Sequence, residues 1–346
     1  MRKGLRLLAA LAATSLSAGW AQAQTSVENF YRNNALTIIV GYSPGAAYDL
    51  YARTVAQHLG KQIPGNPKVI VQNMPGAGSM NAVNYLYTLA KKDGSQIAAF
   101  ARGIAMQPLL DDQGVKFDAT KLGWIGSPSS EVSVVLSWKG TAFKTLEDVR
   151  QREMSVAVSG SGADSAIFPR VMNSILGTKF KLVTGYPGNS EMLLAVERGE
   201  VDGNAGTSWS TLSGSKSEWV SGHRINILAQ LGLKKHPDLP DVPLVTDLAK
   251  TPDDRKVLEL IVSRQDMAYP FAAPPEVPED RFAALRAGFD KMVRDPDFIA
   301  DAKKQGFEVD PMSGADMESL VKKLYASPPA LVERARAALR INGKGE

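Results

Sequence analysis

The residues that could do chemistry in this chain are gathered in short glycine-bearing turns. Tyr42-Ser43-Pro44-Gly45-Ala46-Ala47, with Asp49 just beyond, follows the apolar run Leu36–Val40. Pro75-Gly76-Ala77-Gly78-Ser79 follows Lys68–Val71, and Ser159-Gly160-Ser161-Gly162 follows Met154–Val158. Each stands where a β-branched strand pattern gives way to helical spacing of apolar residues. Such a turn aims backbone N–H groups beyond the strand end, and the positive helix terminus adds to them, so the chemistry on offer is anion binding. The serines add hydroxyl donors and could equally cap helices. Each glycine also has a plain structural use, a positive φ or a close approach. Three such turns, each between a strand and a helix, favour the binding reading.

Other chemistry finds little support. His58, His223 and His236 are far apart and in no metal-ligand spacing, so no metal site is expected. No serine sits in a G-x-S-x-G elbow. The turns miss both the phosphate-loop and dinucleotide patterns, so no cofactor is expected. With no nucleophile–base pair in view, no catalytic residue is assigned and the chain is read as a non-enzyme. Asp49 is either a ligand contact or a structural acid; its place in a first helical turn, four residues before Arg53, favours dipole complementation and i,i+4 pairing. Asp202 is either a turn acid or a ligand contact. Tyr42, Tyr48, Tyr186 and Trp209 either line a cleft or fill core.

The elements that must position these turns alternate. Strands are predicted at Leu36–Val40, Lys68–Val71, Gln96–Phe100, Met154–Val158, Phe180–Thr184 and Ile225–Gln230, with helices between most of them. Ser190 is a candidate N-cap for a helix over Glu191–Arg198. Alternation with short loops implies α/β architecture with mainly parallel sheets, in which ligands bind beyond the carboxyl ends of the strands. Leu122–Ser127 and Glu131–Ser137 read as the crossing into a second lobe, and Pro237, Pro240 and Pro243 as a stiff return. The expected division is 24–124 for the first lobe and 125–245 for the second. Residues 246–346 are expected to return to the first, with C-terminal helices packing across the lobes.

Arg2, Lys3 and Arg6 precede an apolar run, Leu7–Leu16, too short to span a bilayer, and Ala21-Gln22-Ala23 fits a small-x-small cleavage site. Residues 1–23 are therefore read as a cleavable signal peptide that exports the chain to the periplasm. Its loss leaves 37 basic against 36 acidic side chains. A nucleic-acid partner does not follow from the basic composition. The chain has no cysteine, so core burial alone must hold it in an exported setting.

On these turns the chain resembles the solute-binding proteins of tripartite tricarboxylate transporters, the Bug family. The family's opening P-G-G-x-x-D with a following Arg is matched by Pro44-Gly45-Ala46-Ala47-Tyr48-Asp49 and Arg53. Its N-x-P-G-A-G is matched by Asn73 to Gly78, and its G-x-G-S turn resembles Gly160-Ser161-Gly162-Ala163. Tyr186-Pro187-Gly188 and Gly199-Glu200-Val201-Asp202 match its Y-x-G and G-x-V-D. The resemblance implies a two-lobed periplasmic binding protein fold with a cleft between the lobes. It further implies a monomer that closes on a small organic carboxylate and delivers it to integral membrane permease subunits. It implies that Ser43–Ala47 and Pro75–Ser79 hold one carboxylate, while turns of the second lobe read the rest of the ligand. Ala46 replaces the family's usual Gly, and Tyr48 and Tyr51 are bulky for their places, which implies an aromatic or altered pocket. Two readings of other classes stand beside it: an exported α/β hydrolase or transferase, and a ligand-binding protein serving a membrane sensor.

Overall fold

The computed structural model describes residues 26–340 apart from Ala46 and Ser161. The expected signal peptide, 1–23, lies outside the described residues, as do those two site candidates. The chain forms two compact units, each built from separated segments. In chain order the strands are β1 (Leu36–Val40), β2 (Val69–Asn73), β3 (Gln96–Ala99), β4 (Gly123–Ser127) and β5 (Ser133–Trp138). They continue with β6 (Met154–Ala157), β7 (Phe180–Val183), β8 (Gly203–Ser208), β9 (Ile225–Leu231) and β10 (Phe271–Ala273).

The first unit takes in the chain up to Phe100, then Lys121–Gly126 and Phe271–Asp301. Its strands lie in the order β4-β10-β3-β1-β2. β1 pairs parallel with both β2 and β3, and β10 runs antiparallel between β3 and β4. β1 reads LTIIV without alternation because helices cover both faces of a parallel sheet. Its Leu36, Ile38 and Val40 are fully buried. The helix Ala47–Gln62 packs Val55 and Leu59 into this core, and the helix over 26–33 seats Tyr31, whose hydroxyl donates to the Gly94 carbonyl at 3.0 Å.

The second unit comprises Ala101–Thr120, Ser127–Pro270 and the chain from Ala302 onward. Its strand order is β7-β6-β8-β5-β9. β6 is parallel to β7 and β8, and β5 is antiparallel to β8 and β9. Each sheet is thus mainly parallel with a single reversed strand inside it. One apolar core includes Phe168, Met172 and Val257; another includes Leu193, Trp209 and Trp219.

The expected division of the chain needs correction in its last third. Residues 246–270 stay in the second unit, and only Phe271–Asp301 returns to the first. The helices Gly314–Tyr325 and Pro329–Leu339 also belong to the second unit, where Leu324, Ala335 and Ala338 complete its core. The early part of the chain also crosses sooner than expected, at Phe100 and Ala101, before Lys121–Gly126 revisits the first unit. Among smaller differences, the helix expected at Glu191–Arg198 runs Asn189–Glu197 with Gly188, not Ser190, at its N-cap.

Candidate functional site

The first turn leaves β1 with Gly41, whose N–H is donated to the Ala99 carbonyl at 2.9 Å. Gly45 stands at φ +82°, a left-handed conformation that glycine adopts without a steric penalty. Its N–H is donated to Asp49 Oδ2 at 2.8 Å, so this turn closes on its own helix. The same oxygen accepts from Arg53 Nε at 2.8 Å. Asn73, the last residue of β2, donates through Nδ2 to Asp49 Oδ1 at 2.7 Å and to the Tyr42 carbonyl at 2.8 Å. Arg53 closes the circuit by donating to Asn73 Oδ1 at 3.1 Å. Asp49 is only 1% exposed. Burial pushes its pKa up, but hydrogen bonds from Arg53, Asn73 and Gly45 more than offset that, and the carboxyl lies below the usual aspartate range. The acid is therefore structural, as its spacing from Arg53 indicated.

The second turn is unlike the ordinary helix N-terminus expected there. Gly76, Ala77, Gly78 and Ser79 all have positive φ, at 122°, 47°, 62° and 79°. Two of them carry a side chain, and a left-handed L-residue costs roughly 1–2 kcal/mol. The run forms a tight turn in which Ser79 N–H donates to the Gly76 carbonyl at 3.1 Å and Met80 N–H to the Ala77 carbonyl. The N–H groups of Gly76, Ala77 and Gly78 have no partner among the described residues, and all three residues are exposed. Left-handed backbone of this kind clusters at ligand clamps and active sites, which makes the run a candidate functional position. Ser79 itself is buried and its hydroxyl donates to the Gly41 carbonyl at 3.2 Å. A Cβ on Gly41 would strike the Ser79 side chain, so the two turns meet only because residue 41 lacks one.

Ser43, Pro44, Gly45 and Ala47 are exposed around the first turn, and Pro75 around the second. The bulky side chains of the first turn are Tyr42 and Tyr48, half-buried, with rings parallel to within 6° and centroids 4.5 Å apart. Tyr51, expected to alter the pocket, is 3% exposed and fills core instead.

The third turn belongs to the second unit. Ala163 N–H donates to the Gly160 carbonyl at 3.1 Å, and Ser159 N–H reaches Ser165 Oγ at 3.4 Å. A Cβ on Gly160 or Gly162 would meet nothing within 4 Å. At the start of the helix Asp164–Leu176, Asp164 accepts from Arg102 Nε at 2.7 Å and Arg264 Nη1 at 3.4 Å, with Gln265 Nε2 at 3.3 Å. Nearby in charge, Glu131 is buried; burial raises its pKa, the Arg102 charge opposes that, and Ser210 Oγ donates to it at 2.7 Å.

One candidate contact, Asp202, is placed at another edge. Asp202 lies at the amino ends of β6 and β8, where Ser155 donates to its Oδ2 from both N–H (2.8 Å) and Oγ (2.6 Å). The third turn leaves the opposite, carboxyl end of β6, roughly 13 Å away at strand rise. Asp202 therefore ties two strands together and does not join that turn. Tyr186 follows the carboxyl end of β7, the sheet edge that the third turn also leaves; it is half-buried against the core, and its phenol pKa is raised by burial and by the Glu200 carboxylate. Trp209 is likewise core, its indole N–H donating to Asp238 at 3.1 Å. Conversely, the positioning role of Asn73 was not assigned from sequence. The signal for Asn73 was its place, directly after a β-branched run and three residues before the glycine pair.

A family model described as tripartite tricarboxylate transporter family receptor, TctC, matches residues 51–336. A UPF0065 protein of Agrobacterium vitis is 27% identical over 249 residues, covering 70% of this chain and 68% of that protein. Among solved structures, a TctC solute binding protein from Polaromonas superposes with a TM-score of 0.66 at 18% identity, covering 88% of this chain and 99% of its own. MatC from Rhodopseudomonas palustris with bound malate superposes with a TM-score of 0.64 at 17% identity, covering 89% and 99%. At these identities the structural likeness establishes the fold, the two-lobed α/β architecture of periplasmic binding proteins.

Proposed function

We propose that this chain, which belongs to the tripartite tricarboxylate transporter receptor family, is a periplasmic binding protein for a small organic carboxylate, which it delivers to the membrane permease subunits of its transporter. The observation that carries the reading is the left-handed run Gly76–Ser79, in which the N–H groups of three exposed residues have no partner among the described residues. Successive backbone N–H groups in such a turn form neutral donors that suit a carboxylate. The malate bound to MatC supports the ligand class. Within the same unit, the Ser43 hydroxyl and the backbone N–H groups of Ser43 and Ala47 are the further donors of the proposal. The acid of the first turn is committed to Gly45, Arg53 and Asn73, which favours binding over hydrolysis there. Export with removal of residues 1–23 is part of the same reading, and N-terminal sequencing of exported protein tests it.

The decisive experiment is isothermal titration of purified protein with a panel of carboxylates, repeated on Gly78→Val. A Cβ at Gly78 meets nothing within 4 Å, so no clash opposes the variant, while the φ of +62° disfavours a branched residue and should displace the turn; circular dichroism checks that the variant folds. Loss of binding in a folded Gly78→Val protein is expected. A folded variant that binds like wild type overturns the assignment.

A further inference from the structure

We propose that the carboxylate captured by this chain carries an aromatic ring, and that the stacked pair Tyr42 and Tyr48 reads it; this rests on the binding-protein reading above.

The second turn, which carries the unpartnered donors, and the first turn beside it in the fold are built mostly of small residues. Gly45, Ala47, Gly76, Ala77 and Gly78 offer at most a methyl group to a ligand. Against that background stand two tyrosines, one leaving β1 and one in the first turn of the helix Ala47–Gln62. They bracket the first turn in sequence, and the Tyr42 carbonyl is bonded to Asn73, which leads into the second. Their rings are parallel and 4.5 Å apart, yet both side chains remain half-buried rather than enclosed. Tyr51, one helical turn further on, shows where this helix sends a tyrosine that serves only the core.

A conjugated ring held by its carboxylate at these turns extends an existing offset stack, and gains from the quadrupole as well as from area. An aliphatic chain in the same place gains area alone. The charges point the same way. The guanidinium of this turn, Arg53, is committed to Asp49 and Asn73, so the first-unit turns offer one anion site built of neutral donors and no spare cation for a second carboxylate beside it.

The test is titration calorimetry at one pH and ionic strength. Benzoate, phenylacetate and 4-hydroxybenzoate are set against butyrate, malate and adipate. The tightest aromatic acid is expected to bind roughly tenfold more tightly than the tightest aliphatic one. Tyr48→Leu and Tyr42→Leu should each remove that preference, while Tyr48→Phe keeps it. An aliphatic acid that binds as tightly as any aromatic one overturns the proposal and leaves the carboxylate reading standing. So does a folded Tyr48→Leu protein that retains the preference. Failure of every acid in both sets overturns the carboxylate reading, and the aromatic proposal with it.

Discussion

Asn73 and Asp49, 24 residues apart, are joined by a 2.7 Å hydrogen bond that fastens the end of β2 to the first turn of the helix after β1. Because the same amide nitrogen also donates to the Tyr42 carbonyl, one side chain fixes the backbone on both sides of that turn. The pair holds the two candidate anion turns in register.

Breaking the pair should cost stability first and affinity second. Asp49→Asn and Asn73→Ala are each expected to lower unfolding free energy by about 1–3 kcal/mol, since each leaves buried polar groups unmet. Denaturant unfolding of both singles and of the double variant should show a coupling of about 0.5–3 kcal/mol. Carboxylate affinity should fall less in Asp49→Asn than in Gly78→Val. The reverse order would place Asp49 at the ligand.

Asp49 also gives the fold an acid-sensitive component. Its folded pKa is depressed, so its contribution is fully present above the ordinary aspartate value near 3.9 and is lost as pH falls through the lower folded value. Thermal unfolding between about pH 5 and pH 2 should therefore fall less steeply in Asp49→Asn than in wild type. Parallel curves would show that the carboxylate is not held as described.

Glu131 should act in the opposite sense. Burial raises its folded pKa, so the folded state holds the proton longer than the unfolded chain, and stability falls as pH rises from about 4.3 toward the raised value. Glu131→Gln keeps a group that can accept from Ser210 and removes the charge. Its stability relative to wild type should increase over that interval and then level off. A difference that does not change with pH would contradict the burial of an ionisable group here.

Ala77→Gly tests the strain in the second turn. Relief of a left-handed alanine should outweigh the added flexibility of glycine in the unfolded chain, giving a net gain of up to about 1 kcal/mol. Ligand affinity should fall slightly as the turn loosens. A loss of stability on this substitution would mean that Ala77 is not held at positive φ.

Asp202→Ala is the control for the other unit. It should lower stability by about 1–3 kcal/mol through the lost bonds to Ser155 and leave ligand affinity unchanged. A selective loss of affinity would return Asp202 to the binding site.

The strand–turn–helix order was legible because β1 is an uninterrupted apolar run and glycine marks its end. The structural role of Asp49 was legible too, since its partner Arg53 lies one helical turn away. The left-handed run was not, because Ala77 and Ser79 have no local preference for positive φ; tertiary context imposes it, through Ser79 docking on Gly41. The choice between the two readings of Asp202 was not legible because a loop position does not state its sheet edge, which depends on the direction of β6 and β8. The cluster on Asp164 was invisible because Arg102 and Arg264 lie 62 and 100 residues from it. The division of the C-terminal third failed for a related reason. Pairing of Phe271–Ala273 with β3 and β4 is a long-range choice that no local pattern encodes.

The circuit of Asp49 and Arg53 has a consequence for the conditions under which capture works. One negative and one positive charge cancel within a single helical turn, and the exposed donors beside them are uncharged amides. A site of that kind projects little field into the surroundings, so dissolved salt has little to screen. Affinity should hold nearly constant from dilute to brackish media, where a site built on bare guanidinium groups would weaken. The same neutrality forgoes long-range attraction, so capture proceeds at the unassisted encounter rate and not at a steered one.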